Sequence, residues 1–270
     1  VIVVEPDPAR AAVVAPLFHA IEQAGIPAMV FVNKMDTLGD EHVRDTLAAL
    51  QAHSRRPLVL REVPMREGGQ VVGYVDLVSE RAYRYRKGQA SEMVRIPDSM
   101  KDRESEARAA LVEALADHDD KLLEKVLEDA VATPEEIFSA LHADVAKGAM
   151  DEVLIGSAER QGGVLRLWKA LRHDTPDAAE TASQRGVADD GDVLAQVFKT
   201  QHAGHAGRFS YVRIWRGTVK DGATLGGQRI GGVMRFPGGE ATKATEAAAG
   251  EIVALGRLDQ AKTGATLSAN

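Results

Sequence analysis

The start of the chain alternates between continuous apolar runs and a segment of helical periodicity. Residues 1–4 and 28–32 are apolar without interruption, which is typical of strands buried on both faces of a parallel sheet. Between them, apolar residues recur at helical spacing over residues 9–24, and Gly25 follows as a C-cap. Pro16 predicts a kink or a loose first half of this helix, because proline removes a backbone hydrogen bond. The order strand, helix, strand predicts a βαβ unit.

The next stretch changes to short strands followed by amphipathic helices, and then returns to a buried strand and a helix. The predicted helices are residues 41–52, 99–116, 119–131, 134–146 and 163–171, and the predicted strands are residues 58–63, 70–78 and 152–155. The turn signature Gly68-Gly69 predicts a hairpin between the first two of these strands. Thr133 and Pro134 have the residue types of an N-cap and a first helical position.

The last third of the chain has a different pattern of predicted secondary structure. Residues 174–190 are rich in Ala, Thr and Asp, which indicates a linker. Beyond it, short strands are separated by glycine turns, and this spacing predicts a small antiparallel barrel. The predicted strands are residues 193–198, 208–215, 218–219, 229–234, 252–255 and 265–267. The predicted fold class is therefore α/β plus all-β.

Composition narrows the class of protein. The chain has 270 residues and no cysteine, which excludes disulfide-stapled and cysteine-zinc architectures. It contains no apolar run of 18 residues, so we expect no membrane span and a cytoplasmic location. The net charge is −7, but residues 98–152 carry 16 acidic and 6 basic side chains (−10), whereas residues 191–270 carry 6 and 10 (+4). One interpretation is that both regions are ordinary solvated surfaces. The alternative, for the basic region only, is a module that docks on RNA.

One four-residue motif carries most of the chemical information. Asn33-Lys34-Met35-Asp36 directly follows the buried run 28–32 and has the form Asn-Lys-x-Asp, which recognises guanine in GTPases. An Asp carboxylate accepts two parallel hydrogen bonds from the guanine N1–H and 2-amino groups, and adenine offers no such pair. The motif lies where a parallel strand ends, which is where open α/β sheets bind ligands. The alternative is an exposed turn in which Asp36 caps a helix.

A second motif, Gly156-Ser157-Ala158, also follows a buried strand and precedes a helix. Alone it is a weak signal, but together with Asn33 to Asp36 it predicts that two strand ends meet at one nucleotide. The interval between Asp36 and Ser157 is 120 residues, far more than the roughly 30 of one βαβ unit. We therefore predict an insertion at residues 56–150.

These motifs make the chain resemble the elongation factor G family. Further similar segments are Gly25-Ile26-Pro27, Arg216-Gly217-Thr218-Val219-Lys220-Asp221-Gly222, Ala249-Gly250-Glu251-Ile252 and Thr263-Gly264-Ala265-Thr266-Leu267. The resemblance implies a partial GTPase domain of the P-loop type at residues 1–55 and 151–175 and an inserted α+β subdomain at 56–150. It further implies a linker at 176–190 and a translation-factor β-barrel, domain II, at 191–270.

The resemblance also implies site residues and partners. Asp36 and Asn33 would give guanine specificity, Lys34 would pack on the base, and the Ala158 backbone would contact guanine O6, with Ser157 shaping the loop. The implied ligands are GTP and GDP, with Mg²⁺ held by residues of a longer protein. The implied partner is the ribosome, its RNA and stalk proteins, contacted through the barrel and the insert by a monomer.

The chain departs from the family pattern in more than one respect. It contains no Gly-Lys-Ser/Thr phosphate loop, so we expect a piece of a longer protein that has no catalytic residue of its own and binds GTP weakly. The parent would be an elongation factor G-like paralogue that couples GTP hydrolysis to translocation or ribosome remodelling. Two alternatives stay open: a ribosome-binding module with an idle nucleotide site, and a tetracycline-resistance-type ribosomal protection GTPase.

Two further patterns are not interpreted as metal sites. His202 and His205 form a His-x-x-His without a supporting carboxylate, which favours a loop. Asp117, Asp119 and Asp120 lack the spacing of a calcium loop and favour an acidic helix junction. No metal ligand is therefore predicted in this chain.

Overall fold

The structure, a computed structural model, describes residues 1–38, 43–202 and 207–269. It divides into two compact units, Val1–Thr175 (unit 1) and Pro176–Asn270 (unit 2). Within the described ranges, no helix is long and apolar enough to cross a bilayer. His205 and the first two residues of the helix predicted at 41–52 lie outside the described residues.

Unit 1 is built on a parallel sheet. Within its described part, four strands lie in the order β1-β2-β8-β3. Their bounds are Ile2–Val4 (β1), Met29–Val32 (β2), Leu58–Leu60 (β3) and Asp151–Ile155 (β8). Every residue of β2 and β8 is buried, as the continuous apolar run of β2 predicts. The register pairs Val32 with Ile155, so β2 and β8 end side by side.

Helices cover the sheet. They are α1 (Ala15–Gln23), α2 (Val43–Gln51) and α6 (Val164–His173). A 3₁₀ helix, Pro8–Val14, precedes α1 and takes the place of the first half of the predicted helix 9–24. Pro16 lies in the first turn of α1, where its missing N–H costs no helical bond. The predicted helix is thus divided close to Pro16 into a 3₁₀ part and an α part, and its first half is helical rather than loose.

The segment between β3 and β8 forms an antiparallel sheet and three helices. Its strands pair in the order β4-β5-β6-β7. The elements are Glu62–Glu67 (β4), Gln70–Asp76 (β5), Arg81–Arg86 (β6), Gln89–Val94 (β7), Lys101–Ala116 (α3), Asp120–Leu127 (α4) and Pro134–Lys147 (α5). Thr133 forms a capping box with Glu136 at the start of α5. Asp119 caps α4, which agrees with the acidic helix junction.

One sequence expectation needs correction here. The predicted strand 58–63 is two strands, because residues 58–60 pair in parallel with β8 while Glu62 begins the antiparallel sheet. The chain therefore leaves the parallel sheet at Arg61, and the bounds of the predicted insertion, 56–150, stay a prediction. Strands β6 and β7 were not predicted, because alternating Arg and Tyr in β6 and polar residues in β7 give no continuous apolar run.

Unit 2 is mostly antiparallel β structure. The main sheet of its described part has the order β15-β14-β17-β10-β9-β18, and two short ladders pair β11 with β16 and β12 with β13. The strands are Leu194–His202 (β9), Arg208–Arg216 (β10), Thr218–Lys220 (β11), Thr224–Leu225 (β12), Gln228–Arg229 (β13), Val233–Arg235 (β14), Thr242–Ala244 (β15), Glu246–Ala248 (β16), Ile252–Gly256 (β17) and Thr266–Ser268 (β18). Their inward-facing aliphatic residues form one core, so the predicted antiparallel class is confirmed.

The predicted linker is partly wrong. Residues Ala178–Gln184 form a helix, α7, whose N-cap is Asp177. Arg185 then lies over the Trp215 ring, with 5.5 Å between the guanidinium carbon and the ring centroid. A small-residue composition does not exclude a helix, because alanine has the highest helix propensity.

Candidate functional site

The two motifs lie at the same edge of the parallel sheet. The Asn33 N–H donates to Val4 O at 2.8 Å, and the Gly156 N–H donates to Val32 O at 2.9 Å. The Met35 N–H then donates to Gly156 O at 3.0 Å. These bonds continue the sheet ladder beyond the strands, so the segment 33–36 lies directly beside the end of β8.

A side-chain hydrogen bond joins the motifs. Asn33 Oδ1 accepts from the Ala158 N–H at 2.8 Å. The resemblance implies that this N–H contacts guanine O6 and that Asn33 contributes to guanine specificity. In the structure Asn33 bridges to Ala158, so an O6 contact would share this N–H as a three-centre bond.

Lys34 and Met35 face in different directions. Lys34 has a left-handed backbone (φ 60°), which is uncommon for a residue other than glycine. Its ammonium pairs with Glu5, whose other carboxylate oxygen pairs with Arg10. The hydrogen bond from Lys34, together with the charge of Arg10, lowers the pKa of Glu5. Met35, at the free position of the motif, is 1% exposed and packs in the core.

Asp36 lines a small cavity. Its Oδ2 is 3.6 Å from Nε of Arg160, a mostly exposed side chain that the sequence analysis did not single out. The cavity, of about 280 Å³, is lined by Asp36 and Ser157 and by the β5 and β6 residues Val71 and Tyr85. Among the described residues, its lining does not include Asn33, Lys34 or Ala158. The five predicted residues are thus neighbours that do not all line one cavity.

Glycine is required at both ends of the loop 156–163. The Ser157 N–H donates to Gly162 O at 2.8 Å, which closes the loop on itself. A Cβ on Gly156 would lie 2.5 Å from Gly162 O, and a Cβ on Gly163 would lie 2.4 Å from Ile155 O. Gly163 also has a φ of 77°, which favours glycine. The loop therefore has one tight conformation that presents Ala158 to Asn33.

A buried ionic cluster lies behind this loop. We define it as Arg61, Glu62, Asp76, Glu152, Arg166 and Asp174, all with side chains 8% exposed or less. Arg166 reaches three carboxylates: Glu62 at 3.2 Å, Asp76 at 3.4 Å and Asp174 at 3.7 Å. Arg61 reaches Asp76 at 3.2 Å and Glu152 at 3.5 Å. The sequence offered a signal for this cluster in the charged pair Asp151-Glu152, which opens an otherwise apolar strand.

The cluster perturbs the ionisation of its members. Complete burial raises the pKa of Glu62 to about 8 and that of Glu152 to about 7, although Arg166 and Arg61 oppose the shift. Burial also acts on Asp76, but the attraction of Arg61 and Arg166 outweighs it and lowers the pKa. The pKa of Tyr85 lies well above its ordinary value, because the hydroxyl is desolvated and faces Glu62.

Comparisons with known proteins show what this chain is similar to. A family model of elongation factor G domain 2 matches residues 192–270. An elongation factor G-like protein of Synechocystis sp. is 39% identical over 270 residues, which cover 99% of this chain and 40% of that protein. A crystal structure of a Thermus thermophilus protein is similar with a TM-score of 0.78 and 30% identity, over 94% of this chain and 37% of that one.

The chain thus spans about 40% of the length of this curated relative. The comparisons confirm the resemblance that the motifs predicted, and they confirm the fold class, an α/β region with a parallel sheet followed by an antiparallel β unit. The chain is thus similar to an elongation factor G-like protein over almost its whole length, and its residues 192–270 match the model of elongation factor G domain 2.

Proposed function

We propose that this chain is the guanine-recognising part of a translational GTPase of the elongation factor G type. The observation that carries the proposal is the 2.8 Å hydrogen bond between Asn33 Oδ1 and the Ala158 N–H. It joins two motifs that are more than a hundred residues apart in sequence. It does so at the carboxyl ends of parallel strands, the edge where open α/β sheets bind ligands.

Each residue would contribute one contact. The Asp36 carboxylate accepts from the guanine N1–H and 2-amino groups, and the Lys34 stem packs on the base. The Ala158 N–H donates to O6, sharing the proton with Asn33, while Ser157 shapes the loop. The ion pair that Arg160 makes with Asp36 is long and Arg160 is mostly exposed, and pairs near the surface contribute about 0–1 kcal/mol. Guanine can therefore replace Arg160 at little cost.

GTP hydrolysis coupled to translocation or ribosome remodelling is proposed for a longer protein that includes this chain. Phosphate binding uses a glycine-rich loop and Mg²⁺, and the chain contains no Gly-Lys-Ser/Thr. The proposed partner is the ribosome. The excess of 10 basic over 6 acidic residues in 191–270 supports contact with RNA phosphates, because lysine and arginine act locally on such contacts. The 39% identity to an elongation factor G-like protein supports a role in translation.

Nucleotide titrations of the isotope-labelled chain, followed by NMR, test guanine recognition. We expect GDP to shift the amides of residues 33–36 and 156–158 with a Kd of about 1 mM or weaker. Such a Kd corresponds to a binding free energy of about −4 kcal/mol, which contacts to the base alone would supply. ADP should leave these amides unchanged. Asp36→Asn should weaken GDP binding by at least about 100-fold and favour xanthosine diphosphate, whose 2-oxo group accepts from an amide.

Asp45→Asn is the matched control, because Asp45 is an exposed carboxylate on α2. It should leave the GDP response unchanged. Equal responses to GDP and ADP, or an intact guanine preference in the Asp36→Asn variant, would contradict the proposal. A Kd of micromolar or tighter for GTP would contradict the expectation that this chain lacks the phosphate-binding half of the site.

A further inference from the structure

We propose that Glu62 and Tyr85, both in the segment inserted between β3 and β8, are positioning residues for guanine recognition. They hold the two ends of the loop 156–163 and thereby fix where the Ala158 N–H lies. This inference rests on the proposed function and names the part of the chain that sets the geometry of the guanine site.

The first contact is made where the parallel sheet loses a strand. On one side of β8, the last ladder bond to the neighbouring chain is the Arg61 N–H donating to Val153 O at 2.9 Å. Beyond it the inserted segment turns away. The Ile155 N–H donates instead to Glu62 Oε2 at 3.2 Å, and the Tyr85 hydroxyl lies 3.5 Å from Ile155 O. Two side chains of the inserted segment thus replace the missing strand at the residue that precedes Gly156.

The same carboxylate also reaches the far end of the loop. Glu62 Oε1 lies 3.2 Å from Nε of Arg166, in the first turn of α6. Glu62 is 0% exposed, so water does not compete for either contact. One side chain therefore connects the strand before the loop to the helix after it.

Tyr85 supports the loop from the side. A Cβ built on Gly162 would lie 2.9 Å from the Tyr85 ring, so the ring is packed directly against the loop backbone. On its other side the ring contacts Tyr74, with 5.8 Å between the centroids. Tyr74 is 4% exposed and lies in the core cluster of the parallel sheet. The support is therefore rigid, since each member is held by packing.

These contacts have a consequence for recognition. The loop conformation that they enforce presents the Ala158 N–H to Asn33 at 2.8 Å. A binding group must be held within about 0.5 Å of its productive position to act. Loss of either anchor should therefore weaken contacts to guanine O6, while the Asp36 contact to the 2-amino group stays intact.

Two pairs of variants of the whole chain test this. Glu62→Met removes the acceptor at similar length and Glu62→Gln retains an acceptor. Tyr85→Leu removes the ring and Tyr85→Phe retains it. Glu104→Met is the control, because Glu104 is a buried carboxylate of the inserted segment on α3 and the charges that act on it, Glu80 and Arg108, lie outside the loop. Amide hydrogen exchange of Ile155 and Ala158 is measured without nucleotide, and GDP and inosine diphosphate titrations follow.

We expect Glu62→Met and Tyr85→Leu to speed exchange at Ala158 by about 10-fold or more, with smaller changes in Glu62→Gln, Tyr85→Phe and Glu104→Met. Both nucleotides carry O6, but inosine lacks the 2-amino group. The affinities for GDP and inosine diphosphate should therefore fall by the same factor, about 3-fold or more. Asp36→Asn should instead change their ratio. A merely structural loss would speed exchange throughout unit 1 rather than at the loop.

Unchanged exchange and unchanged GDP affinity in Glu62→Met and Tyr85→Leu would overturn the inference while leaving the proposed function standing. If Glu62→Met does not fold, the Tyr85 pair decides by the same measurements. If GDP does not bind the unmodified chain, the proposed function fails and the positioning role for guanine falls with it. In that case faster exchange at Ala158 would still show that the inserted segment anchors the loop.

Discussion

Replacement of Arg166 by methionine tests the energetics of the buried ionic cluster. The Arg166 side chain is 8% exposed and lies within 3.7 Å of three carboxylates, those of Glu62, Asp76 and Asp174. Methionine keeps the length and apolar stem of the side chain but removes the charge. Among the described residues of the cluster, Arg61 would then be the one cation facing four carboxyl groups.

The expected loss follows from desolvation. Removing one partner of a buried ion pair leaves an uncompensated charge and costs about 3–5 kcal/mol. We expect a loss in this range at about pH 8, where the carboxyl groups with raised pKa values, Glu62 at about 8 and Glu152 at about 7, begin to ionise or are ionised. Arg160→Met is the matched control, since that side chain is 69% exposed, and it should cost less than about 1 kcal/mol.

The loss should also depend on pH. Without Arg166 the buried carboxyl groups hold their protons to higher pH in the folded state than in the unfolded state. Folding stability then falls more steeply with rising pH in the variant, because the folded state binds more protons. The difference from the unmodified chain should therefore be smaller at about pH 5 than at about pH 8.

Urea unfolding followed by far-UV circular dichroism measures this difference. Among the described residues, helices α1 to α6 lie in unit 1 and only α7 lies in unit 2, so the helical signal reports mainly on unit 1. A loss below about 1 kcal/mol, or a loss of equal size at both pH values, would refute the reasoning. Either result would mean that water or a rearrangement compensates the carboxylates.

Three further outcomes are expected. The ordinary pKa of Glu62, 4.5, is raised to about 8, so its contribution to folding stability is fully present below about pH 4.5 and is lost as pH rises towards 8. Glu62→Gln should therefore flatten the dependence of the unfolding free energy on pH, measured by urea titrations. An unchanged pH dependence would exclude Glu62 as its source. Gly163→Ala should lower the unfolding free energy by at least about 2 kcal/mol, because φ at this position is 77° and the new Cβ would lie 2.4 Å from Ile155 O. A thermal midpoint equal to that of the unmodified chain would contradict this geometry. Ser210 is fully buried in β10, and its hydroxyl has no hydrogen-bond partner among the described residues. Ser210→Ala should therefore leave unit 2 equally stable or up to about 1 kcal/mol more stable. A clear drop in the thermal midpoint would show that the hydroxyl has a partner.

Much of the fold was predictable from local pattern. The runs that became β2 and β8, the helix start at Thr133 and Pro134, and the hairpin at Gly68-Gly69 were each predicted close to their observed bounds. Each depends on periodicity or on cap and turn chemistry, which act over a few residues. The strand predicted at 58–63 is divided, because residues 58–60 pair with β8 while Glu62 begins the antiparallel sheet, and the choice of sheet depends on partners distant in sequence.

The candidate site likewise contains residues that motifs predicted and residues that only the structure revealed. The residues Asn33, Lys34, Asp36, Ser157 and Ala158 came from motifs, and their assignment to guanine stays a prediction. The structure added the bond between Asn33 and Ala158, the nearby Arg160 and the ionic cluster around Arg166. The cluster residues have no common spacing, since Glu62 and Arg166 are brought together by the return of the chain to the sheet.

The sequence by itself determined the class of each half of the chain, the two motifs and the strand ends at which they lie, because strand period, turn residues and motif spacing are local properties. Only the tertiary structure decided what supports the loop 156–163. Glu62 and Tyr85 reach it because β3 stops at Leu60 and leaves Ile155 without a strand partner on that side. A buried backbone N–H must be satisfied, and which side chain satisfies it depends on packing between segments distant in sequence.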